Sequence, residues 1–254
     1  MTSLLHAEEF SKKYGRLFSL IERFGIRKYK YFIALNSKLG EKIKRINNKS
    51  IVKIIPRGID EKYLKIKTKD GKYVLYLGRI DIFQKGLDIL LNNWNKISIK
   101  NQKIKLIIAG GGTQENVEKV KKTVVKLHLS EKVELIGQVT GKKKEQLIAN
   151  CRFGVSPSRF EGFGNSALEF ISLGKPLVCF NISGYSWIPN DIAIKIKRFD
   201  ENIFVESIVN VYHDKKLRRN IEKKSREFAK VFKWSNVSRD YENYFKKIVE
   251  IEKT

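Results

Sequence analysis

Phe153-Gly154-Val155-Ser156-Pro157-Ser158-Arg159-Phe160-Glu161-Gly162-Phe163-Gly164-Asn165-Ser166-Ala167-Leu168-Glu169 reads as a strand end, a turn bearing glycines, and the start of an apolar-periodic helix. The helix continues through Phe170-Ile171-Ser172-Leu173. A strand–loop–helix junction leaves backbone N–H groups free at the positive end of a helix dipole, which suits a phosphate. Glu161 lies in the loop and Glu169 a turn into the helix, and carboxylates accept hydrogen bonds from hydroxyls. A pocket with both kinds of group suits a sugar attached to a nucleoside diphosphate. Taken alone, the loop fits equally well a surface turn whose carboxylate steadies a helix.

On either side of this junction the same alternation repeats. Strand-like runs fall at 73–77, 105–109, 133–136, 153–156, 177–180 and 192–196, with helical patterns at 86–99, 114–128, 143–150 and 165–173. Repeated strand–helix units with short apolar strands predict an α/β fold: a doubly wound, Rossmann-like parallel sheet covered on both faces. The common strand order for six strands is 3-2-1-4-5-6, and ligands bind beyond the carboxyl ends of the strands where the order reverses. That rule brings the loop after the first strand, Gly78-Arg79-Ile80-Asp81-Ile82-Phe83-Gln84-Lys85-Gly86, to face the loop quoted above. A guanidinium forks onto phosphate oxygens and an ammonium adds a point charge, so Arg79 and Lys85, with Gly78, are candidate diphosphate contacts.

Gly110-Gly111-Gly112 follows the second strand but does not complete a G-x-G-x-x-G fingerprint, and reads as a tight turn. Gly137-Gln138-Val139, after the third strand, is placed to flank a base by main-chain contacts. There is no D-x-D pair, and His6, His128 and His213 lack metal-ligand spacing. The expectation is metal-independent chemistry with no cofactor.

The chain has 254 residues, 52 Lys+Arg against 27 Asp+Glu, and a formal net charge of +25. Such an excess attracts anionic partners without choosing among nucleic acid, anionic lipid and phosphorylated substrate. The cations are dispersed and no nucleic-acid recognition motif accompanies them, so charge is the sole support for a nucleic-acid partner. The run Lys142-Lys143-Lys144 reads as solvated. Residues 10–32 interleave aromatics with Lys and Arg, a pattern that suits an anionic bilayer or a helix packed on a partner domain. The start lacks the basic and apolar regions of a signal peptide, and no apolar run reaches membrane-spanning length, so a cytoplasmic location is expected. Cys151 and Cys179 read as buried free thiols.

Residues 1–58 read as a helix at about 8–24, a strand at 31–35, a helix from 37 with Ser37 as N-cap, and a strand at 51–55. They hold too few strands for a sheet of their own and look like the tail of a domain. A polar stretch at 65–72 looks like a hinge.

The series Gly78-Arg79…Lys85-Gly86, Gly110-Gly111-Gly112, Gly137-Gln138-Val139, Ser156-Pro157-Ser158…Glu161-Gly162-Phe163-Gly164…Glu169 and Gly174-Lys175-Pro176 resembles the C-terminal half of retaining GT-B glycosyltransferases, family four. The E-x₇-E spacing is the most specific part. Pro56-Arg57-Gly58-Ile59-Asp60 resembles the family's hinge signature, and Trp234 with a helix at 236–249 resembles its closing crossover helix. The resemblance implies a partial N-terminal, acceptor-side segment (1–58), a nucleotide-sugar-binding domain (59–234) and a crossover helix (235–254). It implies that Arg79 and Lys85 hold the donor diphosphate, with Gly78, Gly164, Asn165 and Ser166 alongside. Glu161 would bind hydroxyls of the transferred sugar together with the backbone around Phe163, Glu169 would bind the ribose, and Gly137, Gln138 and Val139 would flank the base; Glu161 and His6 are the candidate catalytic residues. His6 would match a histidine near the reacting sugar. The expected partners are a nucleotide-sugar donor, a lipid-linked or polysaccharide acceptor, a partner chain supplying the N-terminal domain, and an anionic membrane at the inner face. A transferase and a non-catalytic nucleotide-sugar-binding module or subunit both fit.

Overall fold

The structure, a computed structural model, describes residues 17–100, 103–197 and 199–253. The first helix, α1 (Leu17–Lys28), leads into β1 (Tyr31–Ala34), α2 (Ser37–Ile46) and β2 (Ile51–Ile54). A short turn of helix, α3 (Lys62–Lys65), precedes the main alternation. That alternation runs β3 (Tyr73–Leu77), α4 (Leu87–Lys100), β4 (Lys105–Ala109), α5 (Gln114–Lys126), β5 (Val133–Gly137) and α6 (Gly141–Asn150). It continues with β6 (Phe153–Ser156), α7 (Asn165–Ser172), β7 (Leu177–Phe180) and β8 (Ile194–Ile196). Three helices close the chain: α8 (Glu201–His213), α9 (Lys215–Ala229) and α10 (Trp234–Lys253).

The six strands from β3 onward form one parallel sheet in the order β5-β4-β3-β6-β7-β8. Numbered from β3, that is the expected order, and the reversal lies between β3 and β6. Every residue of β6 and β7 is buried, as strands covered on both faces require. Trp94 of α4, Phe170 of α7 and Phe204 of α8 are among the fully buried side chains that join the helices to this core. Each such burial stabilises by roughly 1.5–3 kcal/mol, so the helices hold the strand tips in fixed places. The β4–β5 register shifts beside Ala109, which pairs with Gly137 where Ile108 pairs with Leu135.

Residues 17–55 form more than a tail. β1 and β2 pair in parallel from Tyr31↔Ile51 to Ala34↔Ile54, correcting the expectation that they are too few to make a sheet. Helices make this possible by covering both faces. Ile26 and Ile43 pack beside Ala34 on one side; Val237 and Tyr244 of α10 pack with Ile55 and Ile33 on the other. The Tyr244 hydroxyl lies 3.2 Å from the Phe32 carbonyl and 3.0 Å from that of Ile51. Asn36, not Ser37, caps α2, because its Oδ1 accepts from the Leu39 N–H at 2.9 Å. The two crossings between the chain's parts run side by side: Ile59 N donates to Phe232 O (2.7 Å) and Trp234 N to Ile59 O (3.2 Å).

Helices α8 and α9 had no counterpart in the sequence reading. Asp200 caps α8 through the Ile203 N–H, and Asp214 caps α9 through the Leu217 N–H. Among the described residues no helix is long and apolar enough to cross a membrane.

Cys151 and Cys179 are free and wholly buried, and burial pushes both thiols up to about 12. Neither is expected to react with a disulfide reagent at pH 8 in the folded protein, whereas both should react after denaturation. Rapid native labelling would contradict the packing of β6 and β7.

Candidate functional site

The loops after β3 and β6 meet at the tips of these adjacent strands. Lys85 Nζ lies 2.6 Å from Glu161 Oε1, and the two side chains are only 16% and 9% exposed. The main chain joins the loops as well, since Arg159 N donates to Gln84 O at 2.9 Å. The Arg159 guanidinium donates to Phe83 O and grips Asp88 with both Nη atoms, at 2.7 and 2.8 Å. A forked pair of this kind fixes direction as well as distance. The two loops are therefore joined by main-chain and side-chain bonds.

Arg79 projects from the same loop. Its guanidinium bonds Gln84 Oε1 and lies 3.5 Å from Asp81 Oδ2, with 59% of the side chain exposed. Asp81 also caps the Gln84 N–H. A cation held by neutral and acidic neighbours yet still open to solvent can turn toward an incoming anion.

Beneath Glu161 runs a buried hydroxyl chain. Ser158 Oγ donates to Glu161 Oε1 at 2.9 Å; Ser156 Oγ lies 3.3 Å from Ser158 Oγ and 2.5 Å from the Tyr185 hydroxyl. Burial first, and the Glu161 charge second, hold the Tyr185 and Tyr76 phenols well above their ordinary range, so both stay neutral. The Tyr76 hydroxyl donates to Arg79 O at 2.8 Å, steadying the first turn of that loop. Tyr76 and Tyr185 were not singled out from sequence, because tyrosines in apolar strand-like runs read as core.

The helix α7 starts on Gly164, which sits in the left-handed region (φ 83°) and has no side-chain cap. Glycine adopts that conformation without strain. The N–H groups of Asn165 and Ser166 thus open the helix without a side-chain acceptor, at the positive end of its dipole. Phe163 is not a surface group: its ring is 3% exposed and stacks on Trp187 at 4.5 Å, and its carbonyl accepts from Trp187 Nε1. Its side chain braces the loop from below, which leaves only main chain for any contact.

Glu169 projects from the next turn of α7 and pairs with Lys144 Nζ at 2.5 Å. This corrects the reading of the 142–144 run as uniformly solvated. Lys144 lies four residues before buried Ile148 on α6, on the inward side of the helix. Burial works against the Lys144 charge, but the Glu169 carboxylate outweighs it and raises the ammonium above its ordinary value. Tyr63 stands beside the pair, its phenol raised by burial and by Glu169.

Gly78 N donates to Ala109 O (3.0 Å), and Gly110 N donates to Gly137 O (2.8 Å). The tips of β3, β4 and β5 are therefore contiguous; Gln138 is exposed and Val139 is buried. From the other part of the chain, Asn36 Nδ2 donates to Gly162 O at 3.0 Å, so the cap of α2 also touches the glutamate loop. Nothing in the sequence reading signalled that contact. His6 lies outside the described residues.

Residues 60–228 match the family described as glycosyl transferases group 1. An uncharacterised glycosyltransferase of Methanocaldococcus jannaschii is 29% identical over 202 residues, covering 79% of this chain and 53% of that protein. In Campylobacter jejuni, N-acetylgalactosamine-N,N'-diacetylbacillosaminyl-diphospho-undecaprenol 4-alpha-N-acetylgalactosaminyltransferase is 27% identical over 191 residues, covering 73% of this chain and 50% of that one. The chain thus spans about half the length of these relatives. Sucrose-phosphate synthase of Thermosynechococcus elongatus shares the fold with a TM-score of 0.85 at 18% identity, over 98% of this chain and 67% of that one. HepE of Anabaena, solved with UDP and glucose, gives 0.81 at 16% identity, over 93% and 68%.

Proposed function

The chain belongs to the group 1 glycosyl transferases, and from that premise we propose that it moves a sugar from a nucleoside-diphosphate donor to an acceptor with retention of configuration. One observation carries the reading: Lys85 and Glu161, 76 residues apart, are in contact at the strand-order reversal. In this reading Arg79 and Lys85 take the donor diphosphate, and the open N–H groups of Asn165 and Ser166 add main-chain donors. Lys85 exchanges Glu161 for phosphate oxygens, which frees the carboxylate for the hydroxyls of the transferred sugar. Glu169, oriented by Lys144, takes the ribose, and the tips of β4 and β5 flank the base.

The chemistry breaks the bond between the anomeric carbon and the diphosphate and forms one to the acceptor oxygen. Negative charge grows on the departing diphosphate, where prepositioned cations and amides stabilise it. The same phosphate accepts the acceptor's proton. A lipid-linked acceptor is supported by the diphospho-undecaprenol in the name of the Campylobacter relative. Exposed Leu20, Ile21 and Phe24 on α1, beside Arg23, Arg27 and Lys28, favour an anionic membrane as the place of work.

Calorimetry with UDP-, GDP- and ADP-sugars tests the donor claim; no saturable binding to any of them would overturn it. Arg79→Ala should weaken the nucleoside diphosphate by about 1–3 kcal/mol through lost charge-assisted contacts. Unchanged affinity would remove Arg79 from the site. The anomeric configuration of the product, read by NMR, tests retention.

A further inference from the structure

A second basic recess lies at the opposite end of the sheet. It has a volume of about 200 Å³, and its charged lining is Lys69, Asp70, Arg152, Lys175, Lys215, Arg218, Arg219 and Glu222. Asp70, Arg152 and Lys175 precede β3, β6 and β7, so the recess opens at the amino ends of strands whose carboxyl ends carry the site above. Five residues of strand separate the two ends, about 16 Å.

Its charges do not balance. Six cations face two carboxylates, and both carboxylates are already engaged. Arg218 grips Asp70 with Nε at 3.0 Å and Nη2 at 2.6 Å, and donates Nη1 to the carbonyls of Val211 and Tyr212. Glu222 accepts from Thr68 Oγ1 at 3.0 Å and lies 3.6 Å from Arg226 Nε. Lys175 is 4% exposed, yet among the described residues no carboxylate lies within ion-pair distance of its ammonium. Its two bonds go to the carbonyl oxygens of Cys151 (2.7 Å) and Lys69, and an ammonium has three donors. A buried charge without a counter-ion is costly.

A second element adds to the excess. Lys215 and Arg219 stand in the opening turns of α9, where the helix dipole already places positive charge and cations are unfavourable. Both are exposed, and neither has an ion-pair partner among the described residues. Three cations from two chain segments thus converge on a small recess with donors to spare. A tetrahedral dianion can accept from several directions at once and offset all three charges.

We propose that this recess binds a phosphate group, as free phosphate or a phosphomonoester, independently of the donor site. The test uses the whole chain in thermal unfolding and calorimetry at fixed ionic strength. Its ligands are inorganic phosphate and glycerol phosphate, with chloride as the control. Phosphate should raise the unfolding temperature saturably where chloride does not. Lys215→Ala/Arg219→Ala, which removes two exposed side chains, should weaken phosphate at least tenfold and leave nucleoside-diphosphate affinity unchanged. Phosphate binding should persist in Arg79→Ala/Lys85→Ala. Equal binding of glycerol phosphate assigns the recess to phosphomonoesters, and preference for inorganic phosphate assigns it to the free ion. The proposal is overturned if phosphate has no saturable effect, if the Lys215/Arg219 variant binds it normally, or if the Arg79/Lys85 variant abolishes it.

Discussion

Glu161→Gln should lower donor turnover by about 10²–10³-fold while leaving the fold and the affinity for the free nucleoside diphosphate near normal. The substitution is nearly isosteric. The amide oxygen can still accept from Ser158 Oγ, now at 2.9 Å, so the hydroxyl chain down to Tyr185 persists. What disappears is a negative charge 2.6 Å from Lys85, in a place where the two side chains are 16% and 9% exposed. Little water screens such a pair, so the loss is felt more than at a surface. In the proposed reaction the carboxylate holds sugar hydroxyls while positive character develops at the anomeric carbon. An amide can hold hydroxyls but cannot offset that charge. The loss should therefore fall on turnover more than on binding. Steady-state release of nucleoside diphosphate, with calorimetry of donor and free diphosphate in parallel, separates these effects. Because Lys85 and Glu161 touch, the Lys85→Ala/Glu161→Gln double variant should lose less than the sum of the single losses. Wild-type turnover in Glu161→Gln would remove the carboxylate from the chemistry.

How far the sequence could be read differs from place to place for physical reasons. Strand order and the meeting of the two loops followed from alternating apolar runs and the crossover rule, because a parallel sheet buried on both faces leaves few arrangements. Contacts that depend on side-chain direction were harder. Lys144 looks like its neighbours Lys142 and Lys143 in sequence; only its place on the stripe of Ile148 turns it toward Glu169. Asn36 and Ser37 can each cap a helix, yet only Asn36 has a second polar arm to reach Gly162 O. Helix α9 is hard to read in the sequence because lysines and arginines dilute its stripe of Leu217, Ile221 and Phe228, although Asp214 marks its start. The β1–β2 sheet was discounted because two parallel strands are unstable alone. Its cover comes from α10, some 200 residues later, which no local pattern discloses.

Gly86→Ala should destabilise the protein by about 2–4 kcal/mol, lowering the unfolding temperature by roughly 4–16 °C. Gly86 ends the Lys85 loop with φ 66°, a left-handed conformation that disfavours a β-carbon. An added methyl would also press into the carbonyl oxygen of Pro157, in the loop that carries Glu161. That obstacle is main chain, so no side-chain rotation relieves it, and the two loops must part. Parting them stretches the Arg159 N→Gln84 O bond and the Lys85–Glu161 contact together. Donor affinity should therefore fall with stability, though alanine removes no group that touches the donor. Gly162→Ala is the matched control: it lies in the facing loop, its added methyl meets nothing within 4 Å, and its φ is not in the left-handed range. It should leave the unfolding temperature and donor binding unchanged. If Gly86→Ala behaves like Gly162→Ala, the loops are not held together at the Pro157 carbonyl. The juxtaposition of Lys85 and Glu161, which places both at the donor, would then need another cause.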